Sequence, residues 1–177
     1  MITIKHKFRN FKNQFDIETL ILGTFNPDTP ENIAGFFYGR GKNYLWNLLP
    51  KVYSQPGLKN STYAEKIDFI LKNKIGFTDL VQEIEVELGE GNKYADDFID
   101  SKITKWIDFV LFLVDFPKVK NVFLTRKSFA DIPKMKIQID IIKNICQSTG
   151  IGFFLLPTPA RFENQTKLNE WKIIFNL

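Results

Sequence analysis

Apolar positions along the chain fall into two kinds of pattern. Residues 19–23 and 151–156 are continuous apolar runs, the first closed by Gly23 and the second stopped by Pro157. Runs of that length without polar alternation predict strands buried on both faces. Residues 119–125 read as another strand, and 77–81 as a short strand or an extended entry to a loop. Elsewhere the apolar spacing is helical. Over 43–53 the stripe is Leu45, Trp46, Leu48, Leu49 and Val52, and Pro56 and Gly57 punctuate its end. A second helix spans 62–75, opened by a Thr62/Glu65 capping box, with Gly76 as its expected closing residue. A third is predicted over 101–116 from Ile103, Trp106, Ile107, Val110, Leu111 and Val114, ended by Pro117. Pro133 opens a fourth, whose stripe is Ile132, Met135, Ile139, Ile142 and Cys146 and which Gly150 closes. A last helix carries Leu168, Trp171 and Phe175.

Two segments fit neither pattern cleanly. Residues 1–16 mix Lys, Arg and Asn with Phe8, Phe11 and Phe15, and read as an arm packed by its aromatics, with room for a short strand. Residues 82–97 are acidic and glycine-bearing. Their alternation with Ile84, Val86 and Leu88 predicts a surface segment with an edge strand facing water, rather than a metal site.

Strands separated by helices predict α/β architecture. The expected fold is a three-layer α/β/α sandwich around a short, mostly parallel four-stranded sheet. All 177 residues fit one domain, long enough to bury a core without a disulfide or metal staple. Cys146 is the single cysteine, which excludes an internal disulfide; its place on an apolar helical face predicts a buried, unreactive thiol. With His6 as the single histidine, a His-based metal site and a Ser-His-Asp triad are not expected, so catalysis must rest on Asn, Asp, Glu, Lys, Arg or backbone groups. No Gly-x-Ser-x-Gly elbow is present either. The net charge of +4 agrees with a polyanionic partner. No apolar run approaches a membrane span, and residues 1–10 lack a signal-peptide core, so a cytoplasmic protein is the default expectation.

Open α/β sheets bind ligands beyond the C-terminal ends of their strands. That rule selects Gly23 to Asn43, the Thr125–Arg126–Lys127 segment, and Pro157 to Phe162. The first offers Gly23 and Pro27 for a sharp turn, Thr24, Phe25 and Asp28, and Asn26 as an amide able to read a base edge or orient a water. Phe36, Phe37 and Tyr38 are a cluster able to stack on a flat ring. The last is a proline-stiffened loop ending in Arg161 and Phe162, suited to press into a DNA groove as a wedge.

These segments resemble the signature stretches of the uracil-DNA glycosylase superfamily, closest to its mismatch-specific and hypoxanthine-DNA glycosylase-like branches. GTFNPD (23–28) resembles the first motif of those families, with Phe25 lengthening the Gly-to-Asn spacing. Phe37, Tyr38, four residues, then Asn43-Tyr44-Leu45-Trp46 keep the spacing of a Tyr-Tyr…Asn-x-Phe-Trp segment. GFTDLV (76–81) and LPTPA (156–160) resemble two further segments. Leu156 stands where uracil-specific members carry His, and Arg40, Gly41 and Lys42 stand for His-Pro-Arg.

The resemblance implies a monomeric, monofunctional DNA N-glycosylase in base-excision repair, without metal or cofactor. It would act on uracil, hypoxanthine or xanthine flipped out of DNA. Asn43, Asn26 and Asp28 are its candidate catalytic residues, Asn43 favoured for positioning the water. Gly23, Thr24, Phe25, Phe37 and Tyr38 would hold the base. Arg40, Lys42, Arg126, Thr158 and Arg161 would contact the DNA. The alternative is a catalytically inactive nucleotide- or DNA-binding module of the same fold.

Overall fold

The computed structural model describes residues 1–176. Its centre is a four-stranded parallel sheet of β2 (Thr19–Gly23), β3 (Ile75–Asp79), β6 (Asn121–Leu124) and β7 (Gly152–Leu155), in the order β3-β2-β6-β7. Strand periodicity divides the core in two. Leu20, Leu22, Val122 and Leu124 face a layer that includes α5 (Pro133–Ser148). Ile21, Phe77 and Phe123 face α1 (Leu45–Val52), α2 (Tyr63–Lys72) and α6 (Gln165–Phe175). The expected three-layer α/β/α sandwich is the observed one. The chain leaves β2 toward β3 through α1 and α2, and leaves β6 toward β7 through α5 on the opposite face. Strand order therefore reverses between β2 and β6, which opens a crevice at their C-terminal ends.

The structure revises three local expectations. Residues 101–116 are not one helix: α3 (Asp96–Lys102) gives way to β5 (Ile103–Trp106), and α4 (Phe109–Asp115) follows. Ile103 and Trp106 pair with Ile84 and Val81 of β4 (Val81–Val86). That ladder, filled by β-branched and aromatic side chains, outweighs the helical period. Asp108 then restarts the helix by accepting a hydrogen bond from the Leu111 N–H at 2.9 Å. Val110, Leu111 and Val114 consequently face outward. Second, β4 is no edge strand. It lies between β5 and β1 (Ile2–Lys5) in a three-stranded antiparallel sheet, because the N-terminal arm pairs with it from Ile2↔Val86 to Lys5↔Glu83. Third, Gly76 lies within β3; the left-handed residue after α2 is Lys74, with φ of 51°. The Thr62/Glu65 capping box forms as expected. Cys146 is buried, and desolvation pushes its thiol up to about 11, which keeps it protonated and unreactive. Among the described residues, no helix is long and apolar enough to cross a membrane.

At the N-terminal edge of the sheet, Glu18 accepts hydrogen bonds from Lys120 at 2.5 Å and Lys74 at 2.7 Å. It thus ties together the entries to β2, β3 and β6. These bonds, Lys120 first, hold its carboxyl at about 2, below the ordinary 4.5. A depressed folded-state pKa stabilises the fold above the unfolded value, and that contribution fades as pH falls from 4.5 toward about 2. Glu18→Gln is therefore expected to flatten the acid limb of a urea-midpoint-against-pH curve. The difference from the native chain should shrink in high salt, because the group is exposed. Parallel curves would rule the contribution out.

Candidate functional site

At the crevice lies a cavity of about 800 Å³ to which all four parallel strands contribute. Gly23 ends β2 and Thr24, Phe25 and Asn26 follow it, and Asp79 ends β3. Residues from Thr125 to Asp131 follow β6, and Thr158 to Arg161 follow β7. The segment carrying Tyr38, Arg40, Lys42 and Asn43 closes one side, and Tyr94 and Asp96 close another.

The floor is where β2 and β3 end in register, Gly23 beside Asp79. A Cβ at Gly23 would collide with the Asp79 carboxylate and lie 2.7 Å from the Tyr38 hydroxyl, so the absence of a side chain makes this junction. Asp79 is buried; its Oδ2 accepts from Nε2 of His6, also buried, at 2.8 Å. Nδ1 of His6 in turn accepts from the Phe8 N–H at 3.1 Å. The hydrogen-bond network thus assigns the ring proton to Nε2, directed at the carboxylate. Tyr38 reaches the floor from a left-handed backbone, φ 56°, and its hydroxyl lies 3.1 Å from Oγ1 of Thr125. Burial, reinforced by the Asp79 charge, raises the Tyr38 phenol well above its usual range and keeps it protonated.

The wall toward α3 is an ion-paired network. Asp96 accepts from Oγ1 of Thr24 at 3.2 Å and from Arg126, which also makes two 2.6 Å bonds to Asp131. Burial raises the Asp96 carboxyl, and Arg126 opposes that shift. Arg126, expected to contact phosphate, is therefore committed to two carboxylates. On the other side the guanidinium of Arg40 lies 4.2 Å from the centre of the Tyr94 ring, and the Tyr94 hydroxyl lies 2.7 Å from Oγ1 of Thr29. Arg40 lines the cavity, half-buried, instead of standing on the outer surface.

The two candidate asparagines line this one cavity. Asn32 accepts from the Ala34 N–H, which leaves its amide nitrogen to donate to Oδ1 of Asn26 at 2.9 Å and to the Pro27 carbonyl. Asn26, buried, is thereby left with its Nδ2 as a donor. Asn43, nearer the mouth and half-buried, accepts from the Leu45 N–H at 3.0 Å, ahead of the first turn of α1. That leaves it Nδ2 and one Oδ1 lone pair. Asn43 also bridges to Ala160, while the Tyr44 N–H donates to Pro159 O and the Arg161 N–H to Lys42 O. The two distant loops meet as a short ladder at the rim. Lys42, Thr158 and Arg161 are exposed there.

Two of the expected site residues lie elsewhere. Phe37 is buried against Phe77, ring centres 5.5 Å apart and nearly parallel, in the aromatic core below the sheet. Asp28 is exposed and paired with Arg9 at 2.7 Å. Neither lines the cavity, whereas Phe25 does. Leu156 is fully buried in the helix-side core with Trp171, whose indole N–H donates to Pro157 O at 3.0 Å. That position holds packing and not a cavity wall. His6, Asp79, Tyr94, Asp96 and Thr125 were not among the expected binding or catalytic residues. The strand-end rule had signalled Thr125, directly after β6, but had not selected Asp79, which ends β3.

No protein-family model matches the chain, and no curated protein matches it. The fold has a clear counterpart in the solution NMR structure of "a putative Uracil DNA glycosylase from Methanosarcina acetivorans". The two superpose with a TM-score of 0.63 and 21% identity, over 92% of this chain and 91% of that one. The likeness is one of fold: the two chains share the three-layer α/β/α sandwich.

Proposed function

We propose that the chain is a DNA N-glycosylase that hydrolyses the glycosidic bond of a deaminated or mismatched base flipped out of DNA. The observation that carries this reading is the cavity at the strand-order reversal, with a buried polar floor and a basic, proline-stiffened rim. Its volume of about 800 Å³ suits a flipped nucleoside. The fold of the Methanosarcina acetivorans protein agrees with it.

In this reading the base enters toward Gly23, Asp79 and Tyr38, with Phe25 beside it, and the sugar stays at the mouth near Asn43. Water adds to the sugar C1′ as the C1′–N bond breaks; the electron pair leaves with the base as an anion, and the proton shed by the added water goes to solvent, from which the released base is protonated. The Nδ2 donor of Asn26 is placed to stabilise that anion. Asn43, through its remaining Oδ1 lone pair, orients the water. Lys42 and Arg161 meet phosphates. Phe162, exposed beside Arg161 at its φ of 75°, fills the gap left in the stack. Lys167 Nζ braces this loop by donating to Phe162 O at 2.7 Å.

The test is base release from single- and double-stranded DNA holding uracil, hypoxanthine or xanthine, read as alkali-sensitive abasic sites. Release from at least one is expected, and no release from any of them would overturn the reading. Damage-selective DNA binding without release would identify instead the inactive module of the same fold.

A further inference from the structure

A strand at the edge of a sheet presents unpaired N–H and C=O groups, a template for another strand. Four strands of this chain lie at an edge: β3 and β7 in the parallel sheet, β1 and β5 in the antiparallel one. Three of them are guarded. Asn13 covers β3: its Nδ2 donates to Phe77 O at 3.0 Å and its Oδ1 accepts from the Phe77 N–H at 2.8 Å, as a neighbouring strand would. β1 carries exposed Lys5 and β5 exposed Lys105, and a lysine on an edge disfavours strand addition. The Asp28 N–H also closes on Lys5 O at 2.9 Å. β7 has no such guard. It reads Gly152-Phe153-Phe154-Leu155, without charge or proline, and every residue is partly exposed. The Gly152 N–H donates to Lys120 O at 2.9 Å and the Leu156 N–H to Leu124 O at 2.8 Å. Strand alternation then turns Phe154 toward β6 as well, and the backbone groups of Phe153 and Leu155 away from it. Among the described residues, no backbone segment pairs with those outward groups.

We infer that β7 pairs with β7 of a second copy of this chain, antiparallel across a two-fold axis, and that the protein associates as a weak dimer with one continuous sheet. The edge is complementary to itself. With the axis at Phe154, Phe153 of each copy stands opposite Leu155 of the other, and each of these pairs exchanges its N–H and C=O groups. Every outward group of the edge is then satisfied. Phe154 meets its own mate as the closer, non-hydrogen-bonded kind of pair, which suits an aromatic contact. Its ring already stacks on Phe123, centres 5.1 Å apart, and the mate's ring extends that stack. Phe153 and Leu155 pack into the core on the α5 side and Phe154 into the core on the α6 side. An antiparallel join has its axis normal to the sheet, so α5 comes beside α5 and α6 beside α6, and each layer continues into its like. The same axis points the C-terminal strand ends of the two copies in opposite directions, so both cavities and both rim loops stay open. A strand of another protein needs a matching apolar pattern of its own; a second copy supplies it by symmetry. An edge of this length makes a small interface, which puts the association in the weak class, with a Kd of about 1 µM–1 mM.

The test is sedimentation equilibrium of the full chain from about 10 µM to about 1 mM, paired with hydrogen–deuterium exchange of single amides by NMR over the same range. The mean mass is expected to rise from the 20.7 kDa of one chain toward twice that value. The Phe153 and Leu155 amides should exchange about two- to tenfold more slowly at the high concentration, in step with the fall in monomer fraction that sedimentation measures. Phe154, bonded to β6 in either state, should keep one rate. Leu155→Pro removes an outward N–H that no bond within the chain uses, the kind of edge position at which a sheet tolerates proline. It is expected to stay at the mass of one chain throughout. The exchange of the native chain decides the matter if that variant does not fold. A native chain that stays at one mass over the whole range, which is the monomer the sequence resemblance implies, would overturn the inference. So would a dimer whose Phe153 and Leu155 amides exchange at the monomer's rate, or a folded Leu155→Pro that dimerises as the native chain does. None of these readouts depends on base release, so the inference stands or falls apart from the glycosylase reading.

Discussion

Asn43→Ala is expected to lower the rate of base release about 10²–10³-fold, the range seen when one preorganised group is removed from a charge-developing transition state. DNA affinity should change little. The residue sits where the loops after β2 and β7 meet, bridged to Ala160, and it lines the cavity at its mouth. Its Oδ1 does two things: it accepts the Leu45 N–H at 3.0 Å, and in the proposed mechanism it holds the water. Alanine removes both, so a fall in rate alone would not separate them. Asn43→Asp does: a carboxylate keeps the acceptor for Leu45 and the acceptor for water, and loses only Nδ2. Single-turnover base release should therefore recover most of the rate in Asn43→Asp. If the aspartate variant is as slow as the alanine variant, water positioning by Oδ1 is wrong. Asn26→Ala acts differently, since its Oδ1 is held by Asn32 and only its donor faces the base. It should lose rate without rescue by aspartate, which cannot donate. Equal, mild losses in both alanine variants would remove both assignments.

What the chain discloses about itself depends on sequence distance. β2 and β7 were legible because each is a short apolar run with a clear stop, and 119–125 also read as a strand; 77–81 stayed open between a short strand and a loop entry, and Gly76, expected to close a helix, lies inside β3. A strand buried on both faces has no polar alternation to hide it. The loops bearing Asn26, Asn43 and Arg161 were legible because parallel sheets send their C-terminal ends to one edge. The floor was not. His6 and Asp79 are 73 positions apart and meet because β1 pairs with β4, directly after the strand that ends in Asp79. No local period carries that information. Tyr94 and Asp96 lay in an acidic stretch that reads as surface until its fold-back over the cavity is known. Phe25 and Phe37 look alike in sequence, both aromatic residues of one loop. One lines the cavity and the other stacks on Phe77, and only the packing tells them apart. The segment 101–116 was misread for the same reason: its apolar spacing is helical, and a partner strand decided otherwise.

Gly23→Ala is expected to damage stability and binding together, and it tests whether the floor is as tightly built as the distances imply. The added methyl would overlap the Asp79 carboxylate, lie 3.2 Å from Cγ of Asp79, and stand 2.7 Å from the Tyr38 hydroxyl. Neither neighbour has a free route away. Asp79 is tied to His6, and Tyr38 to Thr125 from a left-handed backbone that few non-glycine residues adopt. Overpacking of this kind costs about 1–3 kcal/mol, and each kcal/mol lowers the melting temperature by about 2–4 °C in a chain of this size. The methyl also occupies the space that the base edge would fill, so deoxyuridine binding should fall by at least about tenfold. Gly35→Ala is the matched control: nothing lies within 4 Å of its added methyl, and it should leave melting temperature and nucleoside binding as they are. If Gly23→Ala melts with the native chain and binds as well, the strand end is looser than this geometry requires. The base would then have to be held by the rim loops instead of by Asp79 and Tyr38.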